Sequence, residues 1–279
     1  MSITPAADEP VIVVTGAGSG MGRAVALLMS RRHDRRPLVL CDLRQESLEE
    51  TSAMSGAAGR TTLLAGDVAA PDFGERLVRA LADRKIGALV HCAGLSGSMG
   101  DAGRILDVNL SATMRLVEVA RPRMARGSAA VLFSSMAANF LGAVLDGPIN
   151  AVTSPETVVD LLPFSATGPE AAYAISKRGV QLLARRAASA FGEYGARINS
   201  LSPGVTDTPM GRAEMVRHPM MHDLIKNSPL RRAAQAEEVA TVAAFLCSDE
   251  SSFITGTDIL VDGGCVAVTP SAEPAKATS

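Results

Sequence analysis

Aromatic residues are scarce in this sequence. Its 279 residues include two tyrosines and no tryptophan, and aromatic residues make up 3% of the total. One of the two, Tyr173, lies four positions before Lys177 in a segment with helical periodicity. Residues at i and i+4 share one face of a helix. The pair is therefore either a surface pair or a phenol beside an ammonium that serves in catalysis.

Signals for membranes and nucleic acids are lacking. No run of 18 apolar residues offers a membrane span. Residues 1–10 lack the basic and apolar regions of a signal peptide. The net charge is −2, with acidic and basic residues interspersed rather than gathered in a basic stripe. We therefore expect a soluble, cytoplasmic protein that binds neither membrane nor nucleic acid.

Disulfide and metal patterns are lacking as well. The four cysteines are scattered, without a Cys-x-x-Cys pair, at Cys41, Cys92, Cys247 and Cys265. We interpret them as free thiols in a reducing compartment. His218 and His222 have the spacing of two ligands on a helix, but no cysteine or carboxylate constellation accompanies them. We predict no metal.

Short apolar runs alternate with segments of helical periodicity along most of the chain. The runs that favour strands are 11–15, 37–42, 61–67, 87–94, 129–135, 196–204 and 257–264, and helical patterns include 20–32, 44–54, 73–84 and 104–126. Continuous apolar strands separated by helices predict a parallel sheet covered on both faces. We predict one α/β domain over residues 11–268, built on a doubly wound parallel sheet.

Two segments interrupt this alternation. Residues 139–169 contain "SPETVVDLL", which predicts a short helix with a serine N-cap and proline at its first position. This segment either walls a substrate cleft or forms a subunit interface. Residues 206–229 contain several methionines and predict either a lid that packs on an apolar substrate or a helix that packs on the core. Residues 1–10 and 269–279 are predicted tails, and the second is expected to be disordered.

Glycines cluster directly after the first predicted strand, at Gly16, Gly18, Gly20 and Gly22. Between a strand and a helix, glycines permit a tight turn and let backbone N–H groups approach a pyrophosphate. No Gly-Lys-Ser/Thr follows them, which excludes a P-loop. The context predicts a dinucleotide site.

Asp42 ends the second predicted strand, at the position from which a carboxylate accepts both adenosine ribose hydroxyls. It also repels a 2′-phosphate. The next residue is Leu43, and the glycine loop contains no basic residue. Arg44 argues against this preference for NAD, but we assign it to the helix that follows. These residues favour NAD over NADP.

Together, these segments resemble the classical short-chain dehydrogenase/reductase family over nearly all of residues 11–265. The motifs, in family order, are "TGAGSGMG" (15–22), Asp42, "DV" (67–68), "CAG" (92–94), "VNL" (108–110), "SSMAA" (134–138), "YAISK" (173–177), "SPGVTDT" (202–208) and "VDGG" (261–264). Within the family, the chain looks most like the NAD-dependent 3α-hydroxysteroid dehydrogenase/carbonyl reductase branch. The resemblance implies a Rossmann fold and a homodimer or homotetramer.

The resemblance also implies a role for each motif residue. Tyr173 is the acid/base, and Lys177 lowers its pKa and holds the nicotinamide ribose. Ser135 orients the substrate oxygen, and Asn109 anchors a water that links Lys177 to solvent. The implied cofactor-binding residues are Gly16, Ser19, Gly20, Met21, Gly22, Asp42, Leu43, Asp67, Val68, Cys92, Ala93, Gly94, Tyr173, Lys177, Pro203, Gly204, Val205 and Thr208.

Two features depart from the family pattern. His91 and Cys92 replace two asparagines after the fourth strand, which puts hydrogen bonds at the strand end in doubt. The separation of Ser135 and Tyr173 is also longer than usual. We expect an NAD-dependent enzyme that interconverts a secondary alcohol and its ketone on a hydrophobic, steroid-like, cyclic or aromatic compound. The alternatives are a ketoacyl- or polyol-type reductase, or a non-catalytic NAD-binding regulator.

Overall fold

A parallel sheet of seven strands forms the centre of the protein in a computed structural model, which describes residues 9–32, 36–141 and 143–269. The strands are β1 (Val11–Thr15), β2 (Leu38–Asp42), β3 (Thr61–Ala65), β4 (Ile86–His91), β5 (Met124–Phe133), β6 (Arg197–Pro203) and β9 (Asp258–Val261), in the order β3-β2-β1-β4-β5-β6-β9. Two short strands, β7 (Thr206–Asp207) and β8 (Ala234–Gln235), pair separately. The predicted doubly wound sheet is confirmed.

Helices cover both faces of this sheet. They are α1 (Gly20–Arg32), α2 (Gln45–Ser55), α3 (Phe73–Leu81), α4 (Ala102–Leu106), α5 (Ala112–Ala120), α6 (Asp146–Ala151), α7 (Pro169–Gly192), α8 (Pro209–Arg217), α9 (Met220–Asn227), α10 (Ala236–Leu246) and α11 (Cys265–Val268). In β1, Val11 and Val13 belong to one apolar core, whereas Ile12 and Val14 belong to the other. Because successive side chains of a strand point to opposite faces, a strand buried on both faces has a continuous apolar sequence.

The single helix predicted over residues 104–126 is wrong. A π-helical turn, Asp107–Ser111, separates α4 from α5, and a 3₁₀ turn at Arg121–Arg123 follows Ala120. Met124 already belongs to β5 and pairs with Ile86. The helical sequence pattern continues across this boundary, so strand pairing with β4 rather than periodicity decides where the helix ends.

The segment 139–169 packs on α4, α7 and the π-helical turn. Ser154 forms the predicted cap at its centre, but Pro155–Ser165 is a 3₁₀ helix rather than an α-helix. Val158 and Leu161 are fully buried there, and they join the core that α7 covers. The segment is therefore part of the domain core.

The predicted lid consists of α8 and α9, which follow β7. The predicted tails, 1–10 and 269–279, fall almost entirely outside the described residues. Within the described ranges, no helix is both long and apolar enough to cross a membrane. The four cysteines are free, and three of them are buried.

Candidate active site

A cleft of about 340 Å³ opens at the carboxyl ends of the strands. It lies where the strand order reverses between β1 and β4, the position at which open α/β sheets bind ligands. Its lining includes fifteen of the predicted cofactor residues: Gly16, Ser19, Gly20, Met21, Gly22, Asp42, Leu43, Asp67, Val68, Cys92, Ala93, Gly94, Tyr173, Lys177 and Thr208. The fold therefore brings most of the predicted site together.

The glycine loop lies tightly against the end of β4. Gly16 has a positive φ of 66°, and a Cβ there would lie 2.8 Å from the backbone nitrogen of Ala93. A Cβ at Gly22 would lie 2.0 Å from the carbonyl oxygen of Gly16. A larger residue at either position would displace the backbone, so glycine lets the loop pack this closely against itself and the end of β4.

Asp42 ends β2 beside this loop. Its carboxylate accepts hydrogen bonds from the backbone nitrogens of Gly18 at 2.8 Å and Arg44 at 3.4 Å. Arg44 also lines the cleft, as the residue that precedes α2. The assignment of Arg44 to the helix is therefore wrong, because the helix begins one residue later. The site presents both a carboxylate and a cation at its adenosine end.

Asp67 lies further along this end, after β3. Its carboxylate forms a contact with the guanidinium of Arg104, which also lines the cleft. The backbone nitrogen of Ala69 donates to the other Asp67 oxygen at 2.9 Å. No local sequence signal points to Arg104, because it lies on α4, far along the chain from Asp67.

Tyr173 and Lys177 face the cleft from α7. The Lys177 Nζ atom lies 5.8 Å from the centre of the Tyr173 ring and donates to the carbonyl oxygen of Phe133 at 3.0 Å. The Ser134 hydroxyl donates to the carbonyl oxygen of Lys177 at 2.8 Å. These bonds join the end of β5 to α7, so the strand and the helix hold the phenol and the ammonium side by side.

Ser135 hydrogen-bonds with the Tyr173 side chain, and its hydroxyl oxygen also accepts from the backbone nitrogen of Ala137 at 3.2 Å. Burial raises the pKa of Tyr173, the hydrogen bond with Ser135 lowers it, and the charge of Glu214 raises it. Burial lowers the pKa of Lys177 to about 8. Burial is the largest of these effects on Tyr173, so its pKa is raised overall, and the lowering of that pKa by Lys177 stays a prediction.

Asn109 lies behind the cleft rather than in its lining, on the π-helical turn. Its Oδ1 atom accepts from the backbone nitrogen of Leu95 at 2.8 Å, and its Nδ2 atom donates to the Leu95 carbonyl oxygen at 3.0 Å. Nδ2 also lies 3.1 Å from the Ser176 hydroxyl. The side chain thus joins the segment after β4 to α7, next to Lys177.

His91, which departs from the family pattern, belongs to a buried chain of hydrogen bonds. Its Nδ1 atom lies 2.7 Å from the hydroxyl of Thr15, and its Nε2 atom lies 2.9 Å from the hydroxyl of Thr113. Thr113 donates its proton to the Asn109 carbonyl oxygen at 2.7 Å, and Thr15 accepts from the Ala93 nitrogen at 3.2 Å. Both hydroxyls are satisfied only if Nε2 carries the imidazole proton.

The neutral form of His91 is favoured by its surroundings. Burial lowers its pKa to about 3, and the charge of Lys177 lowers it as well. A neutral imidazole therefore links Thr15 of β1 to Thr113 of α5, and Thr113 extends the chain to Asn109 in the π-helical turn. The sequence showed that a histidine replaces the family's asparagine, but it did not show which residues bind that histidine.

Three predicted cofactor residues lie away from the cleft. Pro203 ends β6, and a Cβ at Gly204 would lie 2.6 Å from the Cα atom of Asp262. Val205 lines a separate cavity of about 80 Å³ beneath α9. Further lining residues that were not among the predicted cofactor residues include Leu95, Met99, Val108, Phe133, Pro209 and Met210.

Family models match both halves of the chain. One described as short chain dehydrogenase matches residues 10–145, and one described as Enoyl-(Acyl carrier protein) reductase matches residues 164–266. The chain is 35% identical to "Short-chain dehydrogenase/reductase bsc3" of Alternaria brassicicola, over 93% of this chain and 97% of that protein. It is 31% identical to cis-4-hydroxycyclohexanecarboxylate dehydrogenase of Sinomonas cyclohexanicum, over 93% and 98% of the two chains.

A solved structure shows the same fold. The 3-alpha-hydroxysteroid dehydrogenase of Pseudomonas sp. B-0831, complexed with NADH, superposes with a TM-score of 0.77. The two sequences are 27% identical, and the match covers 94% of this chain and 99% of the other. These matches and the site's geometry lead to one conclusion: the chain belongs to the short-chain dehydrogenase/reductase family of oxidoreductases.

Proposed function

We propose that this protein is an NAD-dependent dehydrogenase that interconverts a secondary alcohol and its ketone on a hydrophobic, cyclic or steroid-like compound. The observation that carries the proposal is that Tyr173, hydrogen-bonded with Ser135, and Lys177 line the same cleft as the glycine loop. A hydride transfer between alcohol and nicotinamide needs a proton acceptor for the oxygen, and this group supplies one.

Tyr173 accepts the hydroxyl proton during alcohol oxidation and returns it during ketone reduction. Ser135 binds the same oxygen and fixes its position relative to the phenol. Lys177 uses one of its three N–H donors on Phe133, so two remain for ribose hydroxyls. When bound, the nicotinamide cofactor accepts or supplies the hydride.

The residues at the adenosine end fit a dinucleotide. Gly16, Gly20 and Gly22 line the cleft at the start of α1, where backbone N–H groups bind a pyrophosphate favourably. Asp42 offers carboxylate oxygens to ribose hydroxyls and repels a 2′-phosphate. Arg44 opposes this preference, but it is exposed, and solvent screens its charge. The NADH complex of the hydroxysteroid dehydrogenase supports the same choice of cofactor.

Apolar side chains favour an uncharged ring as substrate. Leu95 and Met99 line the cleft on one side, and Met210 lines it on the other. Methionine side chains adapt to irregular apolar shapes. The relatives named for a hydroxysteroid and a hydroxycyclohexane acid support a cyclic alcohol.

NADH formation measured with the purified protein tests the proposal. We expect turnover of cyclohexanols or hydroxysteroids with NAD, and weak turnover with NADP. Turnover confined to polyols or to acyl thioesters would contradict the substrate class. NADH binding without turnover of any alcohol or ketone would favour the alternative of a non-catalytic NAD-binding regulator.

We also propose that the chain forms a homodimer or homotetramer, as the family resemblance implies. Light scattering coupled to size-exclusion chromatography measures the assembly mass. A monomer at assay concentration would contradict this proposal without affecting the proposed reaction.

A further inference from the structure

Two segments face each other at the Tyr173 end of the cleft. The first is the loop 95–101 after β4, in which Leu95 and Met99 line the cleft. The second is the start of α8, in which Pro209 and Met210 line it.

Glu214, on α8, bridges these two segments. Its Oε1 atom accepts a hydrogen bond from the Ser96 hydroxyl at 2.7 Å and another from the Ser98 hydroxyl. Arg217, further along the same helix, donates to the carbonyl oxygen of Ser98 at 3.2 Å. The Glu214 side chain is only 14% exposed. The carboxylate is thus held between the loop 95–101 and α8, whose neighbouring residues line the cleft.

His218 lies between this carboxylate and the start of α7. His218 Nε2 lies 3.5 Å from Glu214 Oε2 and 3.9 Å from Glu170 Oε1, in the first turn of the helix that carries Tyr173. The Glu214 charge is felt at the phenol, because it raises the pKa of Tyr173 in addition to the larger effect of burial. The charge of Glu214 therefore acts on the phenol from outside the residues that line the cleft.

The charge of Glu214 is poorly neutralised. Among the ion pairs of the described ranges, its partner is His218, which carries a positive charge only when protonated. The cation of Arg217 is exposed and is bound to the Ser98 carbonyl, so solvent screens it. A partly buried carboxylate is screened less and repels other anions over several ångströms.

We propose that Glu214 is a specificity-determining residue that admits uncharged cyclic alcohols and rejects alcohols bearing a carboxylate. The proposal rests on the proposed function and narrows its substrate class. It also predicts a substrate preference different from that of the relative named for cis-4-hydroxycyclohexanecarboxylate, whose named substrate carries a carboxylate.

A matched pair of substrates tests the proposal. Cyclohexanol and cis-4-hydroxycyclohexanecarboxylate share a ring and a secondary hydroxyl and differ in charge. Assays with NAD run at pH 8, above the range in which histidine is usually charged. We expect the wild type to favour cyclohexanol in kcat/KM by at least about tenfold, and Glu214→Gln to narrow that ratio by about tenfold. The amide keeps a carbonyl oxygen for the serine hydroxyls.

Glu170→Gln is the matched control, because Glu170 lies beside the same histidine but is 62% exposed. We expect its ratio to equal that of the wild type. An equal loss on both substrates in Glu214→Gln would overturn the proposal, since Glu214 would then only hold the lid. Should that variant fail to fold by thermal melting, Glu214→Met should narrow the ratio in the same way, and an unchanged ratio there would overturn the proposal.

The two proposals fail differently. If the wild type oxidises neither alcohol, the proposed function is wrong and the charge selection falls with it. If the wild type oxidises both alcohols equally well, the proposed function stands and the role of Glu214 is wrong.

Discussion

The ammonium nitrogen of Lys177 lies 5.8 Å from the centre of the Tyr173 ring, one helical turn further along α7. Burial lowers the pKa of Lys177 to about 8, so the side chain still carries its charge at pH 7. The same burial raises the pKa of Tyr173. The phenol is therefore the neutral acid that ketone reduction needs, and alcohol oxidation has to deprotonate it.

Replacing Tyr173 with phenylalanine removes the proton acceptor and keeps the ring. We expect kcat for alcohol oxidation to fall by about 10²- to 10⁴-fold, as for the loss of a general base. NADH binding, followed by fluorescence, should change little, because the phenylalanine fills the same space. Full activity in Tyr173→Phe would show that another group transfers the proton.

Replacing Ser135 with alanine removes the hydrogen bond that lowers the pKa of Tyr173. The pKa of the phenol then rises further above its ordinary value. Because oxidation requires the phenolate, the pH at which oxidation reaches half its maximum should move to higher pH. Because reduction requires the phenol, its decline at alkaline pH should also move upward.

The two directions together check this prediction, since the loss of substrate binding alone lowers both rates without moving either profile. Ser134→Ala is the matched control. Its hydroxyl donates to the Lys177 carbonyl and takes no part in the pKa of Tyr173. A shift of equal size in Ser134→Ala would contradict the specific role of Ser135.

The sequence predicted those parts of the site that are local in the chain. The glycine loop follows β1 directly, and Tyr173 and Lys177 share one helix. Their spacing in the sequence was therefore enough to predict both features. Other pairs depend on how the sheet brings distant strands together. His91 meets Thr15 across 76 positions, and Glu214 meets Ser98 across 116.

The helix boundary near residue 124 was missed for a related reason. Apolar periodicity continues from α5 into the first residues of β5, and only pairing with Ile86 in β4 reveals the strand. The 3₁₀ form of Pro155–Ser165 was likewise not predicted, because capping residues fix where a helix begins rather than its type.

Asp42 should decide between the two nicotinamide cofactors. Asp42→Ala removes both the acceptor for ribose hydroxyls and the charge that repels a 2′-phosphate. We expect kcat/KM with NAD to fall by about tenfold to a hundredfold, while kcat/KM with NADP rises.

Asp42→Asn is the control for loop damage, because Asp42 also accepts from the Gly18 nitrogen. The amide oxygen retains that bond, whereas the charge is lost. We therefore expect Asp42→Asn to gain on NADP and to lose less on NAD than the alanine variant. A loss on both cofactors in both variants would indicate that the carboxylate only supports the loop.

His91 should make the protein sensitive to acid. Its pKa is lowered from 6.5 to about 3 in the folded state, so below pH 6.5 the unfolded chain binds a proton that the folded chain does not. Stability is therefore lost as the pH falls from 6.5 towards 3, by up to about 1.4 kcal/mol per pH unit. Urea unfolding of the wild type and His91→Asn at pH 7 and pH 4 measures this contribution.

His91→Asn should be less stable than the wild type at pH 7, by about 1–3 kcal/mol, because Thr15 and Thr113 lose a buried partner. Its stability should then fall less between pH 7 and pH 4. Thr113→Val, which removes the hydroxyl beside Nε2 but keeps the imidazole, should weaken the fold at pH 7 and retain the acid sensitivity. If His91→Asn and the wild type lose the same free energy of unfolding between the two pH values, the imidazole is not what makes folding pH-dependent, and the acid loss arises from the carboxylates instead.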